Sequence, residues 1–166
     1  MKVDGPFMKT PSLRGDVLSR IGAILQKDEG LDSKLLSVCK VLSGTVPHYD
    51  WVGFYLVDPE KDRELVLGPF VGAPTEHVRI PFGKGICGQA AATGMLFLVP
   101  DVLKEGNYLS CSPDVRSEIV VPILDGDRVL GELDIDSHMM DPFDGWDREL
   151  LGSVCHMVGP SIILGK

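Results

Sequence analysis

No run of apolar residues in this 166-residue chain approaches the length that a bilayer span needs. Nor is there a cluster of Lys or Arg: with 16 basic residues against 24 acidic ones the formal net charge is −8. A surface of that sign repels phosphate backbones, which argues against nucleic acid as a partner. Cysteine is scarce, at positions 39, 87, 111 and 155. None of the four forms a Cys-x-x-Cys pair, and none is spaced with histidine as a zinc site would be. His77, His138 and His156 share no metal-binding spacing, so no metal is expected. Gly83-Lys84-Gly85 lacks the length and the Lys-Ser/Thr ending of a phosphate loop, which excludes nucleoside triphosphate hydrolysis. The opening Met1-Lys2-Val3-Asp4-Gly5-Pro6 lacks the basic-then-apolar build of a signal peptide. The expectation is a cytoplasmic protein whose cysteines are free or catalytic. No repeat or long linker divides the chain, so residues 1–166 read as one domain, with 1–11 a flexible N-terminal segment.

What is present is the composition of a folded protein, 44% apolar and 24% charged. Thr10-Pro11-Ser12 is a helix start, and Leu13, Val17, Ile21, Ile24 and Leu25 recur at helical spacing, predicting a helix over about 12–28 that Gly30 ends. Asp32 is placed to cap a second helix carrying Leu35, Leu36, Val38, Cys39 and Leu42, closed by Gly44 and Pro47. Strands are predicted over Tyr49 to Val57, Glu64 to Phe70, His77 to Pro81, Leu96 to Val99, Glu118 to Leu124 and Arg128 to Asp136. A short helix from Cys87 to Thr93 stops at Gly94. Asp144 caps a last helix, with Asp147 in its first turn favourable to the helix dipole. Hairpins rather than strand-helix-strand crossovers join these elements. They imply an α+β fold with a mainly antiparallel central sheet flanked by N- and C-terminal helices.

Chemistry concentrates between Phe82 and Ile123 and on the strand that follows. Cys111 stands in a polar loop with Asn107, Ser110, Ser112, Pro113 and Asp114, where a thiol can reach solvent; Arg116 is near enough in sequence to assist it. Cys87 follows a Gly-x-Gly turn at a helix N-terminus, where the dipole favours thiolate. A redox pair and two passive cysteines both fit these residues. Cys39 and Cys155 lie among periodic apolar residues and read as core. Glu118 heads an apolar strand, and Asp134 and Asp136 alternate with Leu133 and Ile135, so both point to one face. Such acids repel unless the face is solvated or they hold a cation, a proton or an ammonium group. Trp51, Phe54 and Tyr55 suit either the wall of an apolar pocket or a core.

Taken together these segments resemble the free methionine-(R)-sulfoxide reductases, a family with the GAF fold. The resemblance rests on Asp50-Trp51-Val52-Gly53-Phe54-Tyr55-Leu56, Leu67-Gly68-Pro69-Phe70, Phe82-Gly83-Lys84-Gly85-Ile86-Cys87-Gly88 and Val99-Pro100-Asp101-Val102. It continues through Cys111 with Ser117-Glu118-Ile119-Val120-Val121-Pro122, and through Gly131-Glu132-Leu133-Asp134-Ile135-Asp136-Ser137. It implies that Cys111 attacks the sulfoxide sulfur, that the resulting sulfenic acid is captured as a Cys87–Cys111 disulfide, and that thioredoxin, fed by NADPH, reduces it with no bound cofactor. It further implies that Glu118, Asp134 and Asp136 hold the substrate ammonium while Trp51 and Tyr55 enclose the methyl end. The chain departs from the family's usual pattern at His77, Tyr108 and Ser112, where a cysteine, a histidine and an aspartate are common. The competing expectation is a non-catalytic GAF module that binds a small ligand or senses oxidants through its cysteines. The two apolar terminal helices also suit a homodimer.

Overall fold

The computed structural model describes residues 6–109 and 112–165. Its centre is a six-stranded antiparallel sheet in the order β3-β2-β1-β6-β5-β4. The strands are β1 (Trp51–Val57), β2 (Glu64–Val71), β3 (Arg79–Pro81), β4 (Phe97–Val99), β5 (Ser117–Asp125) and β6 (Arg128–Ser137). Four α-helices accompany them: α1 (Pro11–Leu25), α2 (Leu31–Thr45), α3 (Gly85–Thr93) and α4 (Gly145–Leu164). The long pairings β1–β6 and β5–β6 make β6 the spine of the sheet.

Period-two alternation divides the strand residues between two cores. Val52 and Phe54 of β1, Ile119, Val121 and Ile123 of β5, and Leu133 and Ile135 of β6 face α1, α2 and α4 in the larger core. Trp51 and Tyr55 of β1 and Val120 of β5 face the other way, into a smaller core closed by α3. Phe54 is therefore core, while its neighbours Trp51 and Tyr55 are not part of that layer. Cys39 and Cys155 are buried in the larger core, as their spacing predicts. Burial pushes the Cys39 thiol up to about 12.

Several boundaries differ from the sequence reading for local reasons. The Thr10 hydroxyl caps α1 by accepting from the Leu13 amide at 3.1 Å, but the helix ends at Leu25 rather than near 28. Gly30 is the N-cap of α2 rather than the end of α1, and Asp32 sits in the first turn of α2 without capping it. The loop after β4 holds a 3-10 turn, Val102–Lys104, whose Asp101 carboxylate accepts from the Leu103 amide. Gly94 ends α3 in the left-handed region at φ 66°, a conformation that costs glycine nothing.

The described part of the N-terminal segment, residues 6–10, makes specific contacts with α4 and the residues before β1. Phe7 packs edge-on against His48 and Trp146, and the Trp146 indole donates to the Thr10 carbonyl at 2.8 Å. Lys9 reaches Asp147, which lies fully buried at the start of α4 and also accepts from the Tyr49 hydroxyl at 2.7 Å. Asp147 and Asp144 form a reciprocal capping box. Among the described residues no helix is long and apolar enough to cross a membrane.

Candidate active site

Three short rows of residues run across β1, β6 and β5 on the face beneath α3. Trp51, Asp136 and Glu118 are aligned in the first row, Gly53, Asp134 and Val120 in the second, Tyr55, Glu132 and Pro122 in the third. Strand pairing alone thus gathers four acidic residues, and the cover that α3 and the neighbouring loops provide leaves Glu118 4%, Glu132 0%, Asp134 1% and Asp136 1% exposed. A solvated face is ruled out. Neither oxygen of Glu132 or Asp136, nor Oδ1 of Asp134, meets a hydrogen-bond donor at good geometry.

Burial in low dielectric penalises charge. It pushes the Glu132, Asp134 and Asp136 carboxyls above the usual carboxylate range. The charge of Asp134 adds to the effect at Glu132 and Asp136. Hydrogen bonds from Glu118 and Cys87 partly offset it at Asp134.

Cys87, on the first turn of α3, lies over the middle row. Its Sγ is 3.3 Å from Asp134 Oδ2 and 3.8 Å from Glu118 Oε1. The dipole-favoured thiolate expected here is overturned. Burial, followed by the charges of Asp134, Glu132 and Glu118, pushes this thiol well up. A helix N-terminus contributes about 0.3–1 kcal/mol, less than one pKa unit, whereas full burial shifts a group by about 3–5 units.

The aromatic wall depends on glycine. Trp51 stacks on Phe70 at 5.3 Å and 18°, and on Tyr55 at 6.4 Å and 28°. A Cβ on Gly53 would penetrate the Trp51 ring and approach Phe70 Cβ to 2.8 Å. The indole donates to the Ala73 carbonyl at 3.0 Å and the Tyr55 hydroxyl to the His77 carbonyl at 2.8 Å, which fixes both rings. Two small cavities adjoin the cluster. One, about 10 Å³, is lined by Tyr55, His77, Cys87, Leu109, Glu118 and Asp134. The other, about 90 Å³, is bounded by Trp51, Ala73, Ser112, Asp136 and His138 among others.

Cys111 lies outside the described residues, as does Ser110. Leu109 borders the smaller cavity and Ser112 the larger, so the chain on either side of Cys111 edges the acidic cluster. Arg116 places Nη2 3.9 Å from Asp101 and 3.8 Å from the Met140 sulfur. His138 is half exposed, lies 3.7 Å from Asp50 and borders the larger cavity with Asp136. Sequence reasoning passed over Glu132, although the same alternation that marks Asp134 and Asp136 marks it too. It also missed that Cys87, Glu118 and Asp134 bring ligand-type atoms within 4.8 Å of one another, because their positions are far apart in the chain.

A wider groove of about 630 Å³ opens elsewhere, beside Leu31, Leu56, Val66, Pro69 and Ile162. Asp58 and Arg79 on its rim pair with each other at 2.7 Å, Asp32 is its other charged residue, and it holds no cysteine or histidine. Volume is the poorer guide here; the unsatisfied acids and thiol mark the site.

The curled antiparallel sheet with four helices is a GAF domain, and the GAF domain family model matches residues 32–162. The free methionine-R-sulfoxide reductase of Saccharomyces cerevisiae is 39% identical over 69% of this chain and 63% of the yeast protein. Its Escherichia coli counterpart is 31% identical over 86% of this chain and 84% of its own length. The crystal structure of the Neisseria meningitidis free methionine-R-sulfoxide reductase in complex with its substrate matches with a TM-score of 0.86 at 35% identity, covering 96% of this chain and 95% of that one. The chain belongs to the free methionine-R-sulfoxide reductase family of GAF-domain proteins.

Proposed function

We propose that this chain reduces free L-methionine-(R)-sulfoxide to methionine. The observation that carries the reading is the buried row of carboxyls with oxygens lacking donors, beside the Trp51–Tyr55 wall. A free amino acid supplies an ammonium for the acids and an S-methyl group for the aromatic rings. A substrate ammonium beside Glu118 draws Asp134 and Asp136 toward their charged forms, and the protons they release are available to the sulfoxide oxygen.

In this scheme the Cys111 sulfur attacks the sulfoxide sulfur. Two electrons from Cys111 break the sulfur–oxygen bond, methionine leaves, and the oxygen remains on Cys111 as a sulfenic acid. Cys87 then attacks that sulfur. The new S–S bond forms as the hydroxyl departs as water, taking the proton that Cys87 passes through Asp134 across the 3.3 Å contact. A thioredoxin-type dithiol, reduced at the expense of NADPH, returns both cysteines to thiols. No bound cofactor enters the scheme. A raised Cys87 pKa slows resolution, because thiolate is the nucleophile.

The same burial weighs against the sensing alternative, since an oxidant would reach Cys87 only through the α3–loop cover. The test is Cys111→Ser in an assay that couples NADPH oxidation to turnover through thioredoxin. Turnover should vanish, whereas a fully active Cys111→Ser protein overturns the assignment. Cytoplasmic residence and a homodimer remain part of the proposal, the latter checked by sedimentation of the reduced protein.

A further inference from the structure

We propose that Cys87, Glu118 and Asp134 also form a binding site for a thiophilic divalent cation of the zinc class, available only while Cys87 is reduced. The inhibitory consequence drawn below rests on the reductase reading; the binding itself does not.

Three observations converge on it. First, the spacing suits a small tetrahedral ion. Zinc bonds of about 2.3 Å to sulfur and about 2.0 Å to oxygen, at the tetrahedral angle, separate sulfur from oxygen by about 3.5 Å. Cys87 Sγ stands 3.3 Å from Asp134 Oδ2 and 3.8 Å from Glu118 Oε1, on either side of that value. Second, Asp134 Oδ1 and both oxygens of Asp136 meet no donor although these residues are 1% exposed. Buried oxygens in that state are normally compensated by a cation or a proton. Third, the cavity that Cys87, Glu118 and Asp134 line is about 10 Å³. That is the scale of one water-sized body, room for a single ion.

The thiol separates this inference from the ammonium site. An ammonium asks only for oxygen acceptors, and magnesium and calcium likewise take oxygen ligands. A sulfur in the cluster selects a softer metal. Binding forms three coordinate bonds and releases the Cys87 proton, with any proton held by Glu118 or Asp134, to solvent; no electrons move. The fourth position stays open to water. An ion there occupies carboxylates assigned above to the substrate ammonium, so it should inhibit competitively with free methionine sulfoxide. Engaging Cys87 in a disulfide removes the sulfur ligand and releases the ion.

The experiment is a titration of the reduced Cys111→Ser protein with Co²⁺, followed by displacement with Zn²⁺. One ion per chain should bind, with a thiolate-to-cobalt charge-transfer band in the near ultraviolet. Cys87→Ala in the same background should remove the band and weaken Zn²⁺ binding by about 100-fold or more. Glu118→Gln should keep the band and weaken binding by about 10-fold; it decides the matter if the Cys87→Ala protein does not fold. Absence of the band in the parent, or Zn²⁺ affinity unchanged in both variants, overturns the site. Because these readouts need no turnover, their failure is distinct from failure of the reductase reading. Conversely, an active wild-type enzyme that binds Zn²⁺ at Cys87 without losing affinity for substrate overturns the inhibitory consequence.

Discussion

Replacing Asp147 by alanine removes the carboxylate that ties the N-terminal strap to α4. Asp147 is fully buried, and its oxygens accept from Lys9 Nζ at 2.5 Å, the Tyr49 hydroxyl at 2.7 Å and the Asp144 amide at 2.9 Å, with His48 Nε2 at 3.3 Å. The substitution leaves the buried Tyr49 hydroxyl without its acceptor and takes from Lys9 its buried partner, although Lys9 keeps the Pro142 carbonyl at 2.8 Å and Asp144 at 3.1 Å. Breaking one side of a buried charged network costs about 3–5 kcal/mol, a large part of a total of roughly 5–15 kcal/mol. For a chain of this size the melting temperature should fall by roughly 6–20 °C. Burial pushes the Asp147 carboxyl up, but the hydrogen bonds from His48, Lys9, Tyr49 and the Asp144 amide outweigh it and hold the group well below the usual range. A depressed folded-state pKa means stabilisation that is fully present above the unfolded value of about 3.9 and is lost as pH falls below it. Urea unfolding of both proteins at pH 7 should therefore show the full gap, narrowing progressively below about pH 5. Activity measured well below the melting temperature should survive, because this network packs in the core on the far side of the sheet from the acidic cluster. A gap under about 1 kcal/mol at pH 7, within reach of an exposed pair, or a gap that does not change with pH, refutes the reasoning.

Other perturbations test the site. Gly53→Ala forces the Trp51 ring off its bed; overpacking of this kind costs about 1–3 kcal/mol. It should also raise KM for the sulfoxide, and unchanged stability with unchanged KM would contradict the close approach. Asp136→Asn removes a charge assigned to the substrate ammonium. A charge-assisted hydrogen bond worth about 1.5–3 kcal/mol predicts a loss of roughly 10- to 150-fold in kcat/KM. An N-acetylated sulfoxide, which has no ammonium, should be a poor substrate for the wild type and indifferent to this substitution; equal sensitivity of both substrates would sink the ammonium assignment.

How much of this was legible in the sequence differs from residue to residue. The face shared by Asp134 and Asp136 follows from strand alternation, and so does the separation of Trp51 and Tyr55 from Phe54. Whether that face is wet does not follow, because α3 supplies its cover from elsewhere in the chain. The helix start before Cys87 was readable, yet the burial that dominates its thiol is tertiary, and the acids that add to it include two from positions 31 and 47 residues away. Local dipole reasoning therefore gave the wrong sign. Asp147 read correctly as a first-turn acid of α4, but its anchoring partner Lys9 lies 138 residues earlier, and no local pattern announces that contact. Gly53 is silent in sequence, since its role appears only when the Trp51 ring lies over it.

The central claim is that buried acids, an aromatic wall and Cys111 together act on free methionine sulfoxide of one configuration. The most direct measurement is thioredoxin-coupled NADPH oxidation by the reduced wild-type protein with the separated R and S epimers. Turnover of the R epimer alone is the predicted result. Turnover of neither, or of both equally, contradicts the account.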